Sequence, residues 1–93
     1  MTNPDHRPDD AFVASLRALQ EACVYCNKHD QAIVLIHACI DAGYDTHGRI
    51  LGALHAIDWN PRHAAIVLTK SAGGNPAIHR WQRDEHGIYR NHP

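Results

Sequence analysis

Phe12, Leu16, Leu19, Cys23 and Cys26 recur at spacings of four, three, four and three. That is the rhythm of one apolar face along a helix. It predicts a helix over residues 10–27, opened by Asp9 or Asp10, whose carboxylates suit an N-terminal cap and the positive end of the helix dipole. Residues 27–30 (NKHD) break the pattern, and Asp30 can cap the next helix. Ala32, Ile33, Leu35, Ile36, Cys39 and Ile40 then cover most of a helical circumference, so the second helix is expected to lie at the centre and to stop at Gly43. A third helix, capped by Asp45 or Thr46, carries Ile50, Leu51, Leu54 and Ile57 toward the core.

Asn60-Pro61 is a strong start signal, an N-cap followed by proline at the first helical position. It opens a fourth helix over 61–72, with Ala64, Val67 and Leu68 inward and Gly73-Gly74 as its stop. The run AAIVLT could also be read as a buried strand, but the start and stop signals about a dozen residues apart favour a helix. Residues 77–92 alternate and turn at DEHG, which predicts a β-hairpin. A four-residue loop would put Trp81 and Ile88 on one face, whereas a three-residue loop with a glycine bulge would group Trp81 with Tyr89. Trp59 and Trp81 are expected as core anchors. Tyr89, if it faces outward, is the better platform for stacking on bases.

The predicted fold is therefore mostly α with a C-terminal β-hairpin. Residues 1–9 offer nothing to bury and are expected to form a disordered tail. Residues 10–93 then make one domain, because 93 residues suffice for a single modest core. The order of helices, the tight DWNP turn and the following basic hairpin resemble the winged helix-turn-helix superfamily over about residues 30–93. On that resemblance the helix at 10–27 is an extra N-terminal element, of the kind that dimerises or packs such proteins.

Charge adds a direction. The net charge is only −1, yet residues 1–46 hold three basic against seven acidic side chains, while residues 47–93 hold six against three. A polyanion would meet the C-terminal half. The resemblance implies a recognition helix at 61–72, with Arg62 and His63 approaching base edges and Thr69 and Lys70 nearer phosphate. It implies a wing at 77–92, with Arg80, Arg83, His86 and Arg90 on phosphate or in the minor groove. Thr46, His47 and Arg49, at the start of the preceding helix, would touch the backbone. The expected function is thus a small double-stranded-DNA-binding protein with a role in transcription regulation, as a homodimer. The alternative is a protein-interaction domain on the same fold. Asp84 and Glu85 near the wing tip count against a phosphate partner.

Other chemistry is thin. Cys23-x-x-Cys26 with His37 and Cys39, or His29 in place of one of them, has spacings a zinc site could use. The cysteines also continue apolar stripes, and free cysteine packs as a small hydrophobe, so core packing is the favoured reading. A redox role is disfavoured, since such motifs normally open a helix and this one is predicted to close one. No nucleophile–base set, phosphate loop or paired carboxylates stands out, so neither an enzyme nor a cofactor is expected. No segment reads as a leader or a membrane span, and the odd number of cysteines fits a reducing compartment, so the cytoplasm is the expected location.

Overall fold

The computed structural model of the protein describes residues 9–73, 75 and 79–92. Among these, four helices precede one hairpin: α1 (Asp10–Ala22), α2 (Lys28–Asp41), α3 (His47–Ala56), α4 (Pro61–Lys70), β1 (Trp81–Arg83) and β2 (Tyr89–Asn91). The protein is mostly helical with a C-terminal antiparallel hairpin. The expected tail over 1–9 falls outside the described residues except at Asp9, whose side chain caps α1 by accepting the Phe12 N–H at 2.8 Å.

Helix α2 is the hub. Ala32, Ile33, Leu35, Ile36, Cys39 and Ile40 are all buried, and α1, α3, α4 and β2 pack around them. Leu16 enters this core from α1; Ile50, Leu54 and Ile57 come from the α3 region, and Ala64, Val67 and Leu68 from α4. Leu51 is only half-buried at the core's edge. Among the described residues no helix is long and apolar enough to cross a membrane.

Two boundaries differ from the sequence reading. Helix α1 stops at Ala22, not at residue 27, and Cys23–Cys26 form a turn closed by the Cys26 N–H on the Cys23 carbonyl at 2.9 Å. The apolar spacing continued because a turn also brings residues i and i+3 together. Val24 and Tyr25 then lie in solvent, and Tyr25 is 99% exposed. The cap of α2 is accordingly Asn27, whose side chain accepts the Asp30 N–H at 2.8 Å, and not Asp30. Helix α4 ends at Lys70. Gly73 does not stop it; its N–H bonds the Trp81 carbonyl at 2.9 Å, and a side chain there would collide with the His79 ring.

The hairpin pairs Trp81 with Asn91, Gln82 with Arg90 and Arg83 with Tyr89. This is the three-residue loop, Glu85-His86-Gly87, with Gly87 at φ +80°. Trp81 and Tyr89 share the buried face; the grouping of Trp81 with Ile88 is overturned. The hairpin is docked at three places. Trp81 donates its indole N–H to the Leu68 carbonyl at 2.9 Å. The segment before α3 pairs with it, through a Thr46–Ile88 bridge and the Tyr89 N–H on the Asp45 carbonyl at 2.6 Å. Asn91 reaches α2, donating to Asp41 Oδ1 at 2.8 Å while its own carbonyl oxygen faces His37 Nδ1. Because that oxygen only accepts, the His37 proton sits on Nδ1.

Candidate nucleic-acid interface

Helix α4 is built to show one face. Asn60 Oδ1 accepts the N–H groups of Arg62 and His63 at 2.9 and 3.3 Å, and Pro61 supplies the helical φ without an orphan donor. With Ala64, Val67 and Leu68 inward, the spacing leaves Arg62, Ile66, Thr69 and Lys70 outward. About 12 Å of helix, at 1.5 Å per residue, separates Arg62 from Lys70. The Thr69 hydroxyl donates back to the Ala65 carbonyl at 2.9 Å, so it faces solvent as an acceptor.

The hairpin likewise has a buried and an exposed side. Trp81 and Tyr89 point into the core, and Arg80, Arg83, His86 and Arg90 are exposed. Arg83 extends over the Tyr89 ring, 6.0 Å from its centroid. Tyr89 is 2% exposed, so it offers no stacking platform. The acidic pair near the tip has separate roles. Asp84 Oδ1 accepts the N–H groups of His86 and Ile88 at 2.8 and 3.0 Å and builds the turn. The Ile88 and His86 amides hold its carboxyl below the usual range. Its other oxygen lies 3.9 Å from Arg90. Glu85 stands beside His86 at 3.8 Å, with both in solvent.

The remaining expected contacts are placed differently from one another. His47 is exposed at the start of α3. Thr46 is the α3 cap, its hydroxyl accepting the Arg49 N–H at 3.2 Å, and Arg49 donates to the Gly43 carbonyl at 3.4 Å. His63 is half-buried, stacked on Trp59 with centroids 5.9 Å apart.

The structure also brings in a residue that sequence reasoning passed over. Lys28 Nζ lies 5.0 Å from the Trp59 ring centroid, beside the start of α4. Gln20, Lys28, Asp58, Trp59, Asn60 and His63 line a hollow of about 440 Å³ there. Trp59 is buried as expected, and its indole N–H has no hydrogen-bond partner among the described residues. Lys28 opens a different helix, and no local pattern announces that α2 and α4 begin side by side. A second hollow, about 460 Å³ and almost wholly apolar, runs along α1 between Phe12, Leu16, Leu19, Ala22 and Ala38.

The zinc set is not assembled. His37 and Cys39 are two residues apart on a helix, which points them to different sides. His37 turns to Asn91 and packs edge-on against Trp81, while Cys39 is fully buried. Among the described residues no three His, Cys, Asp or Glu side chains converge to hold a metal ion. Core packing of the cysteines holds for Cys39; Cys23 is only half-buried, and Cys26 is exposed.

No family profile matches the chain, and no curated protein or solved structure shows significant similarity to it.

Proposed function

We propose that the chain is a winged helix-turn-helix protein that binds double-stranded DNA, with α4 as the recognition helix and the hairpin as the wing. The observation that carries this reading is the segregation of both elements. Ala64, Val67 and Leu68 of α4 and Trp81 and Tyr89 of the hairpin turn inward, while Arg62, Lys70, Arg80, Arg83 and Arg90 stay in solvent. The segment before α3, bonded to the hairpin through Thr46 and Asp45, supports it. Asp84 stays ionised at neutral pH and lies 3.9 Å from Arg90, so it weighs against phosphate at that side chain. The reading includes a regulatory role in transcription, a cytoplasmic location and homodimerisation, the last resting on the open apolar hollow along α1.

The test is fluorescence anisotropy with a random-sequence duplex, titrated from low to physiological salt. Four to five phosphate contacts give a log–log slope of about −4, from roughly −0.9 per contact. Arg83→Ala or Arg90→Ala should each weaken all sequences alike and lower the slope by about 1, while Arg62→Ala should also relax specificity. Unchanged affinity in all three variants would sink the docking. Absence of binding even at low salt would favour the protein-interaction alternative, for which Ile66, 46% exposed on the outward face of α4, is the supporting observation.

A further inference from the structure

The turn between α1 and α2 holds two cysteines in an arrangement that neither apolar packing nor DNA binding uses. The Cys26 N–H bonds the Cys23 carbonyl at 2.9 Å. Such a turn keeps the two Cα atoms within about 7 Å, and a disulfide spans about 4.4–6.8 Å between them. Desolvation first, and then the neighbouring Cys23, raise the Cys26 thiol, as expected of two thiols held side by side on one turn. Because α1 ends at Ala22, the pair directly precedes the Asn27 cap of α2. The pair thus lies between two helices, with Cys23 as the C-cap of α1 and Cys26 immediately before the cap of α2.

A second feature holds the turn. Gln31 is the one buried polar or charged side chain among the described residues, and its Nε2 donates to the Cys26 carbonyl at 2.8 Å. A buried amide is costly unless it is bonded, and this one is anchored on the turn that brings the cysteines together. Entry is open at Cys26, which is exposed, with Val24 and Tyr25 beside it also in solvent. Cys39 is excluded from this chemistry, since burial pushes its thiol up to about 12.

We propose that Cys23 and Cys26 form a dithiol–disulfide site that exchanges with small-molecule disulfides, and that Gln31 is its positioning residue. The Cys26 thiolate attacks one sulfur of the small disulfide and expels the other as a thiolate, leaving a mixed disulfide on Cys26. The Cys23 thiolate then attacks the Cys26 sulfur and expels the second small thiolate. The two cysteine protons end on the two released thiols; the cysteines are oxidised and the small disulfide is reduced. Partial desolvation, the neighbouring Cys23 and the Asp30 carboxylate all raise the Cys26 thiol. Exchange at neutral pH is consequently slow, and it is read at equilibrium.

The full chain is equilibrated with mixtures of reduced and oxidised glutathione, quenched in acid, unfolded and alkylated, and its alkyl groups are counted by mass spectrometry. The chain has three cysteines, all free in this structure. Fully reduced protein should carry three alkyl groups and oxidised monomer one, on Cys39. Cys26→Ser should abolish the one-group species. Gln31→Leu, with its helical circular dichroism retained, should move the midpoint about three- to tenfold toward needing more oxidised glutathione, the weight of one hydrogen bond. Three alkyl groups persisting in excess oxidised glutathione, or oxidation only to a disulfide-linked dimer, would overturn the site. A midpoint unmoved by Gln31→Leu would remove Gln31 from it.

Discussion

Two residues close helices in the same way with opposite fitness for the task. At the end of α2, the Tyr44 N–H bonds the Cys39 carbonyl at 2.9 Å and the Gly43 N–H bonds that of Ile40 at 3.1 Å. At the end of α3, Trp59 bonds Leu54 and Asp58 bonds His55, both at 3.0 Å. Each is a Schellman closure, which needs a left-handed residue. Gly43 has φ +94° and Asp58 has φ +62°. The glycine is legible in the sequence because only glycine takes that conformation freely; the aspartate looks like any polar loop residue. A Cβ at Gly43 would meet no atom within 4 Å, so Gly43→Ala tests backbone conformation alone. It should cost about 1 kcal/mol, or about 4–8 °C in Tm for a domain of this size. Asp58→Gly should be neutral to stabilising by up to about 1 kcal/mol. It relieves φ and gives up only an exposed 3.8 Å pairing with Arg17, of a kind worth little. Thermal unfolding of both variants checks the signs, and a costless Gly43→Ala would remove the conformational argument.

Elements are legible most securely where chemistry punctuates the chain. Asn60-Pro61 marks the start of α4 to the residue, and Thr46 is among the expected caps of α3. Where periodicity stands alone, it overruns. The spacing through Cys23 and Cys26 does not distinguish a last helical turn from a reverse turn, and that ambiguity hides the dithiol turn. The hairpin register is open in the sequence for a related reason, since two loop lengths place different residues inward and only the docked structure selects one. Its turn depends on the Asp84 carboxylate, whose pKa is lowered by the Ile88 amide first and the His86 amide as well. A carboxyl depressed in the folded state stabilises above its unfolded pKa and loses that contribution as pH falls through the folded value. The hairpin tip should therefore loosen below about pH 4. Amide shifts of His86 and Ile88, followed by NMR, should titrate together there, and Asp84→Asn should abolish the step. Amides that do not move with acid would show that the carboxylate is not what builds the turn.

At the scale of the whole molecule, the candidate interface is legible in the sequence as a set of residues but not as an arrangement. Charge segregation along the chain points to α4 and the hairpin; the approach of Lys28 and the anchoring of Asn91 to α2 join segments far apart in sequence, where local pattern carries no information. The same limit applies to α1, which the resemblance treats as an addition to a fold complete without it. Its packing argues otherwise. Leu16 is fully buried in the shared core, Phe12 stacks on Tyr44 with centroids 4.5 Å apart, and Arg17 donates to the Ala56 carbonyl at 2.9 Å at the end of α3. An appendage would leave the stability of the remainder untouched, whereas an integral helix makes Leu16 a core residue like Leu35 or Leu54. Leu16→Ala should then cost about 2–5 kcal/mol, the range for emptying a buried leucine site, out of roughly 5–15 kcal/mol for a whole domain. Chemical denaturation should show it as a lower midpoint in one cooperative transition. A cost below about 1 kcal/mol, or a separate early transition for α1, would make the helix an addition to a fold complete without it.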